Sequence, residues 1–280
     1  MNIKVTADST CDLTPEWIER YRITITPLHV TCGEESFLDG VDITPDELYG
    51  KIRAAGKLGA TAAVNVQEYI EAFSKALQDH DAVIHFTISS QMSACYQNAC
   101  IAAEEVGNVY VVDSKNLSTG IGHLVLDACE MAQTGMDPAD IQKELEVRRE
   151  KLDVSFVVDT LEYLRKGGRC TALAAMGANL LKLHPCIFVK DGAMGVGKKY
   201  RGKLGECLAA YVKDRLAEPE TVDTRRVFIT DSGVSEEIRA AVEAEVRGIV
   251  PFEEVIHTRA GCTVSCHCGP GTLGILFYRK

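Results

Sequence analysis

A strand, a turn and a helix follow one another in Ala82-Val83-Ile84-His85-Phe86-Thr87-Ile88-Ser89-Ser90-Gln91-Met92-Ser93-Ala94-Cys95-Tyr96-Gln97-Asn98-Ala99-Cys100, and the rest of the chain is arranged around them. The first seven of these residues form a short apolar run, which is typical of a buried parallel strand. A serine-rich turn follows directly, and helical composition begins at Ala94. Because neighbouring parallel strands need a crossover between them, this strand, turn and helix predict a parallel α/β sheet.

The same junction predicts an anion-binding site. The first backbone N–H groups of a helix have no partner within the helix, and the macrodipole adds positive potential at that end. Three hydroxyls, those of Ser89, Ser90 and Ser93, stand beside these groups in the sequence. Such a site holds a carboxylate or a phosphate without a metal ion. A capping serine followed by ordinary turn residues gives the same pattern, because serine is common at helix starts.

Strands and helices alternate through the rest of the N-terminal half. The patterns predict strands over residues 3–7, 23–31 and 109–114, a small-residue loop over 59–65, and helices that start near 15, 44, 66, 118 and 137. Thr44-Pro45-Asp46-Glu47 is a capping box with proline at the first helical position. Parallel sheets bind ligands beyond the carboxyl ends of their strands, where the serine-rich turn lies.

The C-terminal part has a different pattern. An antiparallel hairpin is predicted over 185–196 around Asp191-Gly192, and two further strand and helix pairs follow it. A chain of 280 residues is about as long as a single core supports. We therefore predict a two-domain α/β protein: residues 1–153 with a Rossmann-like parallel sheet, and residues 154–280 with a mixed or antiparallel sheet.

Composition and charge exclude several classes of protein. The net charge of −10 argues against nucleic acid as a partner, because phosphate backbones bind basic surfaces. No apolar run approaches the roughly 18 residues of a membrane span, and the N-terminus enters a strand pattern without a signal peptide. We expect a cytoplasmic protein whose eleven cysteines are reduced thiols.

Three other patterns have competing explanations. Cys262, Cys266, His267 and Cys268 are possible zinc ligands, but no second cysteine knuckle accompanies them, so we predict no metal site. No G-x-S-x-G motif surrounds a serine, which disfavours a serine hydrolase. The basic runs 165–169 and 198–203 are either solvated surface or a docking patch for a phosphate, an acidic partner or a membrane surface.

Five separated motifs resemble, in order and spacing, those of the DegV family, and together they cover essentially the whole chain. They are Asp8-Ser9-Thr10-Cys11-Asp12-Leu13, the stretch from Ser89 to Ala99, Val112-Asp113-Ser114-Lys115, Leu164-Arg165-Lys166-Gly167-Gly168-Arg169 and His267-Cys268-Gly269-Pro270-Gly271. The resemblance implies a long-chain fatty acid held between two domains, no cofactor, and a fatty acid kinase as partner that converts the bound acid to acyl phosphate.

The resemblance also implies roles for individual residues. Thr61 and Ser93 match the family's two hydroxyls that hold the carboxylate, and His267 and Arg169 match the residues that support it. The chain departs from the family pattern after Thr61, where Ala62-Ala63-Val64 replaces Ser-Gln-Pro, and at His184 and Cys268. These departures bear on lipid choice and kinase recognition.

Two other functions remain as alternatives to a non-enzymatic carrier. An acyl hydrolase or transferase would use one of the serines as nucleophile and would turn over an acyl ester without a kinase. A regulatory or scaffold protein would keep a structural lipid that never exchanges.

Overall fold

The computed structural model describes residues 1–173 and 183–280. Its N-terminal half forms, in order, β1 (Ile3–Asp8), α1 (Pro15–Tyr21), β2 (Thr24–Thr26), β3 (His29–Cys32), β4 (Glu35–Leu38), α2 (Pro45–Ala55), β5 (Ala60–Ala62), α3 (Val66–Ala76), β6 (Ala82–Thr87), α4 (Cys95–Val106), β7 (Val109–Asp113), α5 (Thr119–Gln133) and α6 (Pro138–Arg148). The remainder forms β8 (Leu152–Val157), α7 (Glu162–Gly167), β9 (His184–Lys190), β10 (Ala193–Tyr200), α8 (Leu204–Arg215), β11 (Val222–Asp231), α9 (Glu236–Ile249), β12 (Glu254–Arg259), α10 (Cys262–Cys268) and β13 (Leu273–Arg279).

The first sheet has the strand order β2-β1-β6-β7, and every pair in it is parallel. All six residues of β6 are buried, as a strand covered on both faces requires. The stretch that begins at Ala82 therefore supplies an inner strand of the sheet, and the predicted parallel sheet is confirmed.

The second large sheet has the order β10-β9-β8-β13-β11-β12. Only its β11–β12 pair is parallel, and the other pairs are antiparallel, so the predicted mixed sheet is confirmed. The predicted hairpin is the β9–β10 pair. A small antiparallel sheet, β4-β3-β5, lies beside these two.

Three local predictions need correction. The strand predicted over 23–31 is two strands, β2 and β3, which belong to different sheets and are separated by Pro27, a residue without a backbone donor. The loop predicted over 59–65 contains β5, which pairs with β3. The Cys-His-Cys segment forms a short helix, α10, where we predicted only a motif before the last strand.

The predicted capping box of α2 is present. Thr44 Oγ1 accepts from Glu47 N at 3.4 Å, and Glu47 Oε2 accepts from Thr44 N at 2.8 Å. In the described part of the chain, no helix is both long and apolar enough to cross a membrane.

Helix α5 packs against both large sheets. Most of its residues are buried, and it contacts β1 and β6 on one side and β13 on the other. His123 Nε2 lies 2.9 Å from the Leu276 carbonyl oxygen, and Glu130 Oε1 accepts from Arg226 Nη2 at 2.9 Å. The largest apolar cluster accordingly includes residues from both halves. The second sheet begins with β8 at Leu152, and the domain boundary at 153/154 stays a prediction.

Candidate functional site

A cavity lies where the two halves of the chain meet. It encloses about 870 Å³ of empty space, its open mouth included. Much of its wall is apolar and comes from both halves, including Leu28, Ile88, Met92, Phe156, Met194 and Leu276. Thr61, Ser93, Arg169 and His267 also line it. The structure thus brings four of the six predicted site residues to one cavity.

Thr61 and His267 are in direct contact across the cavity wall. Thr61 is the middle residue of β5 and pairs with Val30 of β3, which fixes the direction of its side chain. Its Oγ1 lies 2.8 Å from Nε2 of His267 on α10, within hydrogen-bond distance. These residues are 206 positions apart in the chain, so only the tertiary fold brings them together.

Two buried carboxyl groups, those of Asp12 and Asp39, accept hydrogen bonds at the start of α10. Asp12 Oδ1 accepts from Gly261 N at 2.8 Å, and Asp39 accepts from Cys262 N at 2.7 Å and from Thr263 N at 3.1 Å. Burial raises the pKa of Asp12 to about 8, and bonds from Ser118 and Gly261 oppose that rise. The helix that carries His267 is therefore fastened to loops of the N-terminal half.

The imidazole of His267 lies against α7. A methyl group in place of the Gly167 hydrogen would overlap with its Nδ1 atom. Burial, and secondarily the positive charge of Arg169, lowers the pKa of His267 to about 4. The ring is therefore neutral at pH 7 and acts as a hydrogen-bonding group without a charge.

Arg169 supplies the positive charge at this end of the cavity. Its side chain is exposed, and its Nη1 donates to the Gly167 carbonyl oxygen at 2.8 Å. Ala62, beside Thr61, is exposed as well. The end of the cavity that contains Thr61, His267 and Arg169 is therefore close to the protein surface.

Ser93 lies in the turn before α4 and also lines the cavity. Its Oγ donates to Cys95 Sγ at 3.1 Å and accepts from Cys95 N at 3.3 Å. Burial raises the pKa of the Cys95 thiol to about 12, so this sulfur is protonated at neutral pH. Among the described contacts, the hydroxyl of Ser93 has no histidine partner of the kind that a serine nucleophile needs.

Ser89 and Ser90 have other roles. Ser89 Oγ donates to the Gly192 carbonyl oxygen at 2.6 Å and so ties this turn to the β9–β10 hairpin. Ser90 Oγ donates to Asp113 Oδ2 at 2.6 Å. Neither serine is among the described residues that line the cavity. Of the three serine hydroxyls predicted to converge, only that of Ser93 belongs to a residue that lines the cavity, because those of Ser89 and Ser90 join loops.

The cysteines near His267 are buried thiols. Burial raises the pKa of Cys266 and of Cys268 to about 12, and it raises that of Cys262 further. Over residues 1–173 and 183–280, no group of three or more His, Cys, Asp or Glu side chains is placed to hold a metal ion. Cys262 and Cys266 belong to the small apolar cluster that contains Val30, Ile43 and Leu48, and Cys268 belongs to the largest apolar cluster.

The two basic runs are partly neutralised. Lys166 Nζ lies 2.9 Å from Glu162 Oε1, and Lys198 Nζ lies 2.6 Å from Asp214 Oδ2. Arg165 is exposed on α7, in the same turn region as Arg169. The first run therefore adds positive charge beside the surface end of the cavity.

Sequence reasoning missed Asp12, Asp39 and Gly167 as supports of the site. Asp12 falls within a family motif, but its contact with Gly261 spans 249 positions. Gly167 also falls within a family motif, Leu164–Arg169, but nothing in that motif indicates its contact with His267. One signal points to Asp12 and Asp39. Helix α10 begins after Gly261 and has no side-chain cap of its own, so its first N–H groups need acceptors from elsewhere in the chain.

The fold and the cavity define a two-domain α/β protein whose apolar internal cavity ends in a cluster of hydroxyl, imidazole and guanidinium groups. The chain belongs to the DegV family, whose model matches residues 2–280. A DegV domain-containing protein of Deinococcus radiodurans is 33% identical over 278 residues, which cover 98% of each chain.

Solved structures show the same fold. A fatty-acid-binding DegV family protein from Thermus thermophilus has a TM-score of 0.92 and 32% identity, and the match covers 100% of both chains. A stearic-acid-binding protein from Eubacterium ventriosum has a TM-score of 0.87 and 28% identity, over 99% of this chain and 98% of the other.

Proposed function

We infer that this protein binds a long-chain fatty acid in the cavity and presents its carboxylate to a fatty acid kinase, which forms the acyl phosphate. The observation that carries the proposal is the Thr61–His267 contact at 2.8 Å, at the surface end of an otherwise largely apolar cavity. The fatty acids bound by the Thermus and Eubacterium relatives support this ligand class.

Four residues that line the cavity can together hold a carboxylate, each with a different role. Thr61 offers a hydroxyl donor, Ser93 offers a second one once its hydroxyl turns away from Cys95 Sγ, and Arg169 offers the compensating charge. His267, neutral at pH 7, orients Thr61 and brings no second positive charge. The exposure of Arg169 keeps the carboxylate near the surface, where a kinase active site can reach it.

The apolar wall supplies the affinity. Burying a methylene group contributes about 0.8 kcal/mol, so roughly 14 methylenes contribute on the order of 11 kcal/mol before the cost of ordering the chain is subtracted. The binding free energy that remains suits a carrier that retains its lipid between encounters with a partner. The carboxylate contacts then mainly set the orientation of the ligand.

The protein carries out no chemistry on the lipid in this proposal. A serine nucleophile needs a base, and the described hydrogen bonds of Ser93 both go to Cys95. The phosphoryl transfer belongs to the kinase. The exposed Arg165 and Arg169 beside the cavity suit contact with an acidic kinase surface, and a transient contact with an anionic membrane is compatible with the same charge.

A double variant, Thr61→Ala with Ser93→Ala, tests the proposal. We expect fatty-acid affinity and acyl phosphate formation with a purified fatty acid kinase to fall by about 10- to 100-fold, because hydrogen bonds to a charged group are lost. Thr31→Val is the matched control, because Thr31 pairs with Ala60 beside Thr61 but does not line the cavity. Unchanged binding and turnover in the double variant would refute the site.

A further inference from the structure

The two hydroxyls of the candidate carboxylate site belong to segments from different sheets. Thr61 lies in β5, an edge strand that pairs with β3, and Ser93 lies in the turn between β6 and α4. One carboxylate accepts from both hydroxyls only if their separation is right, because hydrogen bonds need donor and acceptor within about 3.2 Å of each other. A contact that joins β5 to this turn would fix the separation.

The first turn of α4 contacts both segments. Cys95, the first residue of this helix, holds Ser93: its N–H donates to Ser93 Oγ at 3.3 Å, and its sulfur accepts from that oxygen at 3.1 Å. Three residues later, Asn98 Nδ2 donates to the Val64 carbonyl oxygen at 2.8 Å. Residues three apart are neighbours on a helix surface, so one face of α4 carries the two contacts.

Val64 anchors the segment that carries Thr61. It follows the end of β5 by two residues, and its side chain is buried in the largest apolar cluster, whereas Ala62 is exposed. Burial raises the pKa of the Cys95 thiol to about 12, and hydrogen bonds from Ser93 and from the Val64 backbone oppose that rise. Val64 therefore contacts the start of α4 at two points, and Thr61 lies between this anchor and the β3 pairing.

We propose that Asn98 is a positioning residue of the carboxylate site, which sets the place of Thr61 relative to Ser93 through Val64. The inference rests on the proposed function, since it needs the carboxylate at these two hydroxyls. Asn98 is not among the described residues that line the cavity. It acts by holding the two hydroxyls apart at a fixed distance before the ligand arrives, so that the site selects a carboxylate over a head group with one oxygen.

Head-group selectivity tests the proposal. Hexadecanoic acid and hexadecanol have chains of equal length, but only the acid has two oxygens for the two hydroxyls. Both are titrated into the full-length protein after its lipid has been extracted, and we expect the unaltered protein to prefer the acid. Asn98→Ala should weaken binding of the acid by about 3- to 10-fold and leave that of the alcohol within about twofold. Retained binding of the alcohol also shows that the variant is folded.

Two further variants assign the effect to Asn98. Gln97→Ala is the matched control, because Gln97 is exposed on the same helix and its side chain makes no hydrogen bond in the described part of the chain, so the selectivity should not change. Thr61→Ala removes the hydroxyl that Asn98 positions. Adding Asn98→Ala to Thr61→Ala should therefore weaken binding of the acid no further, within about twofold.

The outcomes separate this inference from the proposed function. Failure of the unaltered protein to bind hexadecanoic acid, or equal affinity for the acid and the alcohol, would refute the carboxylate site itself. An acid preference that Asn98→Ala leaves unchanged would refute the positioning role and leave the site standing. Equal weakening of the acid and the alcohol, or a further loss when Asn98→Ala is added to Thr61→Ala, would also overturn the positioning role, because a general loosening of the cavity gives those results.

Discussion

The imidazole of His267 packs against Gly167 with no space for a side chain between them. Gly167 is the last residue of α7, and His267 is in the last turn of α10, so these two short helices contact each other at the candidate site. The ring is fixed on its other side by Thr61, through the 2.8 Å contact at Nε2. Its position is therefore determined from both sides before any ligand binds.

Gly167→Ala should displace His267. The added methyl group overlaps with Nδ1, and overpacking of this kind costs about 1 to 3 kcal/mol. We expect a lower free energy of unfolding in urea and weaker fatty-acid binding. Gly50→Ala is the control, because Gly50 lies inside α2 with open space around it, and alanine there should be neutral or stabilising. Equal behaviour of the two variants would show that the imidazole is not confined.

Asp39→Ala should loosen α10. The Asp39 carboxylate accepts from Cys262 N, Thr263 N and the Ser9 hydroxyl, and its removal leaves these donors without an acceptor. We expect a loss of at least about 2 kcal/mol of unfolding free energy and a parallel loss of ligand affinity, since α10 carries His267. Urea unfolding and lipid titration measure the two effects.

Asp42→Ala is the matched control for that substitution. Asp42 is exposed, and its carboxylate accepts only from Leu38 N, at 3.1 Å, among the described contacts. We expect its effect on stability to stay within about 1 kcal/mol. An effect as small for Asp39→Ala would contradict the account of how α10 is held.

Stability should fall in acid partly through His267. Its pKa is lowered from 6.5 to about 4, so between these values the unfolded chain binds a proton that the folded protein excludes. The stabilisation is present above pH 6.5 and is lost as the pH falls toward 4. Between pH 7 and pH 5 this one group costs about 2 kcal/mol of unfolding free energy.

His267→Gln isolates that contribution. Glutamine keeps a hydrogen-bonding group near Thr61 but does not titrate, so the loss of stability between pH 7 and pH 5 should be about 2 kcal/mol smaller than in the unaltered protein. His123, whose pKa burial lowers to about 3, titrates equally in both proteins and cancels in the comparison. Identical pH dependence in the two proteins would show that His267 is not shielded from protonation.

Much of the fold follows from local sequence patterns. The buried run at β6, the capping box of α2 and the turn of the β9–β10 hairpin each carry their signal within a few neighbouring residues. The predictions that were wrong also have local causes. Pro27 divides one apolar run into strands of two sheets, and α10, with seven residues, is too short to show a helical period.

The sequence predicted four of the residues that line the cavity, but it did not predict their geometry. The family resemblance selects Thr61, Ser93, Arg169 and His267, although Thr61 lies outside the five motifs, and the structure places all four at one cavity. Ser89 and Ser90 carried the same local signal as Ser93, yet their hydroxyls are directed to Gly192 and Asp113. Which serine lines the cavity depends on contacts up to 103 positions away, which no local pattern contains.

Native mass spectrometry of the purified protein, before and after extraction with organic solvent, shows whether the cavity holds a lipid. We predict an added mass that matches a long-chain fatty acid, lost on extraction and restored when the acid is added back. A protein that carries no added mass and takes up no fatty acid would contradict the assignment of this cavity to a lipid.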